Sequence, residues 1–245
     1  MPNSFENYLR EAFSRALKDE RDQTDDGNLE RIRELCRRGV LTNWKALTAE
    51  RYLGHYLWCI GSTRKDYAVH RKYEAEQIEL FRNCVPEEIA SQTRLIVRDW
   101  VAKKCYLNNS MVAGMIDVSR EIVQEGWPRF KKAHLLLPDN PETEAPLDWK
   151  PAIRMLRSLP MIGKANSWYM IRNLYGAPFF KPDVHIDAIA SHFFGRHNEP
   201  VNSMTAAVRK EWPTICTDPH FLPVHIGEVD LILWWHRRAT GLPVA

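Results

Sequence analysis

The sequence predicts an all-α protein, and three observations carry that expectation. Apolar residues recur at three- and four-residue spacing through most of the 245 positions, the pattern of helices with one buried face. Few segments alternate apolar and polar residues with the period of a strand. The interruptions are helix stops: glycines, prolines and short polar runs.

Taken in order, Leu9, Phe13 and Leu17 repeat every four residues and define a first helix, which the polar stretch 20–28 ends. Two amphipathic segments occupy 28–60, parted near Gly39. The second, Ala49 to Ile60, becomes apolar on all sides and is expected to enter the core. Gly61, Ser62 and Thr63 are expected to break it, and a charged helix follows from about 66 to 83. Helical periodicity resumes over 87–104 and 110–126. Residues 138–146 hold three prolines and three acidic residues and read as a solvated loop.

The informative stretch is 148–195. Ala152, Met155, Leu156 and Leu159 share one helical face, with Asp148 as a fitting N-cap. Leu159-Pro160-Met161-Ile162-Gly163 interrupts that helix; Lys164 to Tyr175 forms the next, and Gly176-Ala177-Pro178 stops it. Lys181-Pro182-Asp183 then introduces a helix whose core face is Ile186, Ile189, Ala190 and Phe193.

Composition bounds the function. Lys plus Arg number 34 against 31 Asp plus Glu, a net charge of +3 that permits a polyanionic partner without requiring one. A hydrophobic share of 44% with 27% charged residues excludes global disorder. No apolar run approaches the length of a membrane span, so no membrane partner is expected. The opening MPNSFENYLREAF lacks an apolar run after a basic start, so no leader is expected either. Five cysteines, at 36, 59, 84, 105 and 216, form no close pair, which argues against a zinc ribbon or an iron–sulfur centre. With no leader, they read as reduced thiols of a cytoplasmic protein, nucleoid-associated if the source is prokaryotic. Nine histidines show no HExxH spacing, so no metal site is expected.

A helix, a short turn and a helix have a physical use. Gly163 lets the backbone approach a ligand closely. The first N–H groups of the following helix lack intrahelical partners and stand at the positive end of its dipole, a site that suits a phosphate. Lys164 adds a charge beside it. The same arrangement also serves plain helix packing. Asp183, read in isolation, is an N-cap worth about 1 kcal/mol.

The order of these features adds a resemblance. Leu-Pro-Met-Ile-Gly (159–163), a helix, and Pro-Asp-Val-His-Ile (182–186) resemble the helix-hairpin-helix DNA glycosylase superfamily of the endonuclease III type. Its pattern is Leu-Pro-Gly-Val-Gly, a helix, and Val-Asp-Thr-His-Val. This chain departs from the pattern in four places. Met161 stands at the first hairpin glycine and Ala165 at the Schiff-base lysine of bifunctional members. Ala188 stands where an arginine is often found, and the C-terminal four-cysteine cluster of many members is absent.

The resemblance implies two helical lobes with a central cleft: 1–44 with 178–245, and a six-helix lobe, 45–177, that ends in the hairpin. It implies that Asp183 is the catalytic carboxylate, with His185 as its structural support; Asp187, one turn later, reads as a solvated acid. Met161, Gly163, Lys164 and Ala165 would bind DNA phosphate. Trp58, Gly61, Ser62, Thr63, Arg64 and Trp168 would supply the wedge and base pocket. Close by, Arg64, Lys65, Arg71 and Lys72 interleave with Tyr67 and Tyr73, a mixture suited to backbone and base contacts but equally an ordinary charged helix face. Trp58, Trp100, Trp168, Trp234 and Trp235 all lie in apolar helical surroundings and read as core rather than base-stacking platforms, with Trp58 or Trp168 the candidate for the pocket.

The implied reaction is excision of a damaged or modified base flipped out of a bent duplex. Ala165 makes it monofunctional, leaving an abasic site, with Lys164 the remaining amine near the hairpin. The implied partner is double-stranded DNA, bound by a monomer. No cofactor is implied beyond a monovalent cation that the hairpin of this family admits, and no iron–sulfur cluster. Two alternatives stay open: a glycosylase acting on hypermodified viral bases in antiviral defence, and a non-catalytic helix-hairpin-helix DNA-binding protein.

Overall fold

The computed structural model describes residues 4–19, 46–62, 67–92, 107–134, 150–175, 180–195, 200–216 and 225–241. These form eleven α-helices and, among the described residues, no strand. The helices are α1 (Phe5–Asp19), α2 (Ala49–Ser62), α3 (Tyr67–Leu80), α4 (Pro86–Ala90), α5 (Asn109–Glu125), α6 (Trp127–His134), α7 (Lys150–Ser158), α8 (Lys164–Tyr175), α9 (Val184–Phe194), α10 (Pro200–Ile215) and α11 (Ile226–Thr240). The chain is all-α over these residues. It divides into two compact units, Met1–Thr42 with Gly176–Ala245, and Asn43–Tyr175.

In the unit that joins the two ends of the chain, α1 packs on α10 and α11, and α9 packs on α10 and α11. Leu9 and Phe13 of α1, Ile186, Ile189 and Ala190 of α9, Trp212 of α10 and Leu233 of α11 share one core. The spacing read from the sequence thus marks buried faces: burying each Leu or Ile side chain contributes roughly 1.5–3 kcal/mol. Phe193 lies partly buried against that core and, with Phe194, meets Phe5 edge-on.

In the unit 43–175, α2 is the central helix and packs on α3, α5 and α8. Tyr52, Leu53, Tyr56, Leu57 and Ile60 are buried, as expected of its apolar run. The helix ends inside the expected break, at Ser62, and Gly61 itself is still helical. Gly61 is buried, and a Cβ there would stand 2.9 Å from the His70 ring and 3.0 Å from Gln77. Its glycine serves close approach of α3 rather than a turn. The charged helix is shorter than expected: α3 ends at Leu80, and Arg82, Asn83 and Cys84 turn the chain through positive φ before Pro86 starts α4. Asn108 caps α5 by accepting from the Met111 N–H at 2.9 Å. Residues 28–44, 93–104 and 138–146, Asp148 and Trp100 lie outside the described residues.

Candidate functional site

The hairpin is α7, the turn Leu159–Gly163, and α8. Leu156, Leu159, Ile162, Met170 and Ile171 are buried and seat both helices on the unit's core. The turn closes through short-range bonds, Leu159 N–H to the Leu156 carbonyl and Ile162 N–H to the Leu159 carbonyl, each 3.2 Å. Met161 adopts φ +64°, the left-handed conformation that a glycine takes without cost. The turn therefore keeps a glycine-like backbone with a methionine in it. Gly163 is different: its φ is not in the left-handed region, and a Cβ there would meet nothing within 4 Å. Neither conformation nor packing requires glycine at 163.

Gly163 precedes α8, and its carbonyl accepts from the Ser167 N–H at 3.0 Å. A glycine offers no side chain to cap the first N–H groups of α8. Lys164 is exposed beside them, and Ala165 is half-buried. Of the residues expected to form a wedge and base pocket, Trp58 lies in helix packing: its ring stacks on Tyr169 of α8 at 4.5 Å and 13°, and meets His70 of α3 edge-on. The buried Arg172 guanidinium stands 5.3 Å from that Tyr169 ring. Trp168 is half-buried, and the Ser62 hydroxyl turns back to the Cys59 carbonyl at 3.1 Å. Thr63, Arg64 and Lys65 lie outside the described residues, as do the side chains of Tyr67 and Arg71. Lys72 is exposed, with Nζ 5.6 Å from the Tyr73 ring.

Asp183 belongs to the other unit, at the N-cap of α9. Its Oδ1 accepts from the His185 N–H at 2.9 Å and the Ile186 N–H at 3.0 Å. Its Oδ2 stands 3.6 Å from Lys181 Nζ, with the two side chains only 13% and 19% exposed. The approach to the cap is fixed on both sides: the Lys181 N–H donates to Asp230 Oδ1 at 2.9 Å, and the Asp183 N–H to the Lys181 carbonyl at 2.8 Å. Asp187, in the first turn of α9, is exposed.

His185 is half-buried. Its Nδ1 stands 2.6 Å from Arg237 Nη1, and Trp234 packs edge-on against its ring at 5.3 Å. Burial holds this imidazole below its ordinary pKa. Sequence reasoning missed Lys181, Asp230 and Arg237. Lys181 was legible as a basic residue two places before the aspartate. Asp230 and Arg237 had no local signal, because each reaches the turn from α11, 49 and 52 residues away.

Among the described residues no group of three or more His, Cys, Asp or Glu is placed to hold a metal ion, and no helix is long and apolar enough to cross a membrane. Compared with known proteins, the chain matches no family model, no curated protein and no solved structure.

Proposed function

We propose that this protein is a monofunctional DNA N-glycosylase with a helix-hairpin-helix glycosylase fold. The observation that carries the reading is the pair of features on one chain. Gly163 is a glycine for which the fold has no use of its own. Asp183 follows the next helix, with one oxygen clamped by two backbone N–H groups and the other left to Lys181.

In this reading the first turn of α8 and Lys164 bind a phosphate of double-stranded DNA, and the absence of a Cβ at Gly163 admits the backbone. Asp183 supplies the chemistry. As the bond from C1′ to the base nitrogen breaks, its electron pair leaves with the base and positive charge develops on the sugar. The carboxylate stabilises that charge, with Oδ2 the oxygen not already held by N–H groups. Water then adds to C1′ and loses a proton, leaving an abasic site. Two backbone donors and the helix dipole suit Asp183 to electrostatic stabilisation of that charge.

The protein acts as a monomer in this reading, in the cytoplasm or on the nucleoid, and needs no metal. The substrate is a damaged base, or a hypermodified base of viral DNA in a defence role. Incubation with genomic DNAs of differing modification, with the released base identified by mass spectrometry, tests the activity and names the base. A non-catalytic DNA-binding protein is the second reading, and the capping role of Asp183 favours it. Base release by the wild type, lost in Asp183→Asn, decides between them.

A further inference from the structure

Arg237 is 7% exposed, a cation largely taken out of water. Among the described residues it makes no ion pair with a carboxylate. Its Nε is buried and meets no acceptor. Among the described residues, the one hydrogen-bonding contact of its guanidinium is Nη1 on His185 Nδ1, at 2.6 Å. A guanidinium has donors only, so this contact requires a lone pair on Nδ1, and the ring's single proton must then sit on Nε2. An imidazolium would aim two donors at each other across the same gap.

We infer that Arg237 is a positioning residue: it holds His185 as the neutral Nε2–H tautomer, so that the turn carrying Asp183 presents a fixed N–H donor rather than a base. The ring has little freedom to escape this arrangement. Its own backbone N–H is bonded to Asp183 Oδ1, and Trp234 packs against it. The charged groups facing it are Lys181 and Asp183 from the segment before α9, and Arg237 and Arg238 from α11, three cations against one carboxylate. Burial acts with those cations to keep the ring uncharged through neutral pH. A locked N–H donor suits an oxygen of the bound nucleotide and leaves proton acceptance to Asp183 or solvent. That role rests on the glycosylase reading, whereas the tautomer does not.

The test is nitrogen-15 NMR of the full chain labelled at histidine, with the His185 signals identified by their loss in His185→Gln. At pH 7 the expected pattern is an unprotonated Nδ1 and a protonated Nε2. An Nδ1–H tautomer or a doubly protonated ring at pH 7 overturns the inference, and the wild-type spectrum alone suffices to decide it. Arg237→Met should give mixed tautomers and a higher titration midpoint, and Arg237→Lys, which restores a donor, should reverse both changes. An unaltered pattern in Arg237→Met overturns the role of Arg237. Base release by the same variants separates the two proposals: a wild type that releases no base removes the glycosylase reading, while the spectrum still decides the tautomer.

Discussion

The Tyr56 hydroxyl donates to the Pro160 carbonyl across 2.8 Å, and this bond ties the core helix α2 to the turn between α7 and α8. Gly114 of α5 leaves the room for it: a Cβ there would stand 2.8 Å from the Tyr56 hydroxyl and 3.2 Å from the Pro160 Cβ. The hairpin turn is thus held from outside the hairpin, by residues that its own sequence does not contain.

Removing that tie should cost stability. Tyr56→Phe leaves the Pro160 carbonyl short of a partner and is expected to destabilise by about 1–2 kcal/mol. Gly114→Ala should also destabilise, by about 1–3 kcal/mol of overpacking, although alanine is the better helix former by about 1 kcal/mol. Urea unfolding of both variants checks this, and unchanged midpoints would contradict it.

The two hairpin positions should respond differently. Met161 sits at φ +64°, so Met161→Gly should stabilise by about 1 kcal/mol by relieving a left-handed backbone. Gly163→Ala should leave stability within about 0.5 kcal/mol, because reduced freedom of the unfolded chain offsets a poorer N-cap. It should nonetheless weaken DNA binding for every sequence, since phosphate contacts carry no sequence information. Lys164→Ala should lower the salt slope of binding by about one unit. Gly163→Ala with wild-type affinity, or an unchanged slope in Lys164→Ala, would remove the hairpin from the DNA interface.

Acid should loosen the fold through three histidines. Burial pushes His55 down to about 4, with Arg51 adding to the effect. Burial also lowers His185 and His236. Each binds its proton less well folded than unfolded, so its contribution is complete above the unfolded value near 6.5 and shrinks as pH falls toward the folded one. Stability at pH 5 should lie on the order of 1–2 kcal/mol below that at pH 7.5. Equal denaturant midpoints at the two pH values would show that these rings carry no such linkage.

In the glycosylase reading the product should be an intact abasic strand, cut only by later alkali or heat. Ala165 has no amine to attack C1′. Two lysines could supply one: Lys164, exposed at the start of α8, and Lys181, with Nζ 3.6 Å from Asp183 Oδ2. Borohydride reduction in the presence of DNA should yield no covalent adduct. An adduct lost in Lys164→Ala or Lys181→Ala would identify a lyase and its amine.

Much of the helical order was legible because apolar periodicity reports burial directly. Ile186, Ile189 and Ala190 lie in the core as their spacing demands, and Asp183 caps α9 as its place before the helix implied. Gly61 was misread because a glycine that stops a helix and one that lets two helices touch look alike in sequence. The His70 ring and Gln77 side chain against it tell them apart. The surroundings of Asp183 were invisible for another reason. Asp230 and Arg237 reach the turn through tertiary packing of α11, and no local pattern encodes such a contact.

The proposed catalytic role of Asp183 is most directly tested by base release from modified DNA by the wild type and by Asp183→Asn. Asparagine caps a helix about as well as aspartate, so the substitution removes the charge and keeps the turn. A thermal melt close to that of the wild type should confirm it. The expected result is base release by the wild type and none by Asp183→Asn, with DNA affinity equal or higher because one negative charge near the phosphates is gone. Wild-type rates of base release from Asp183→Asn would contradict the assignment.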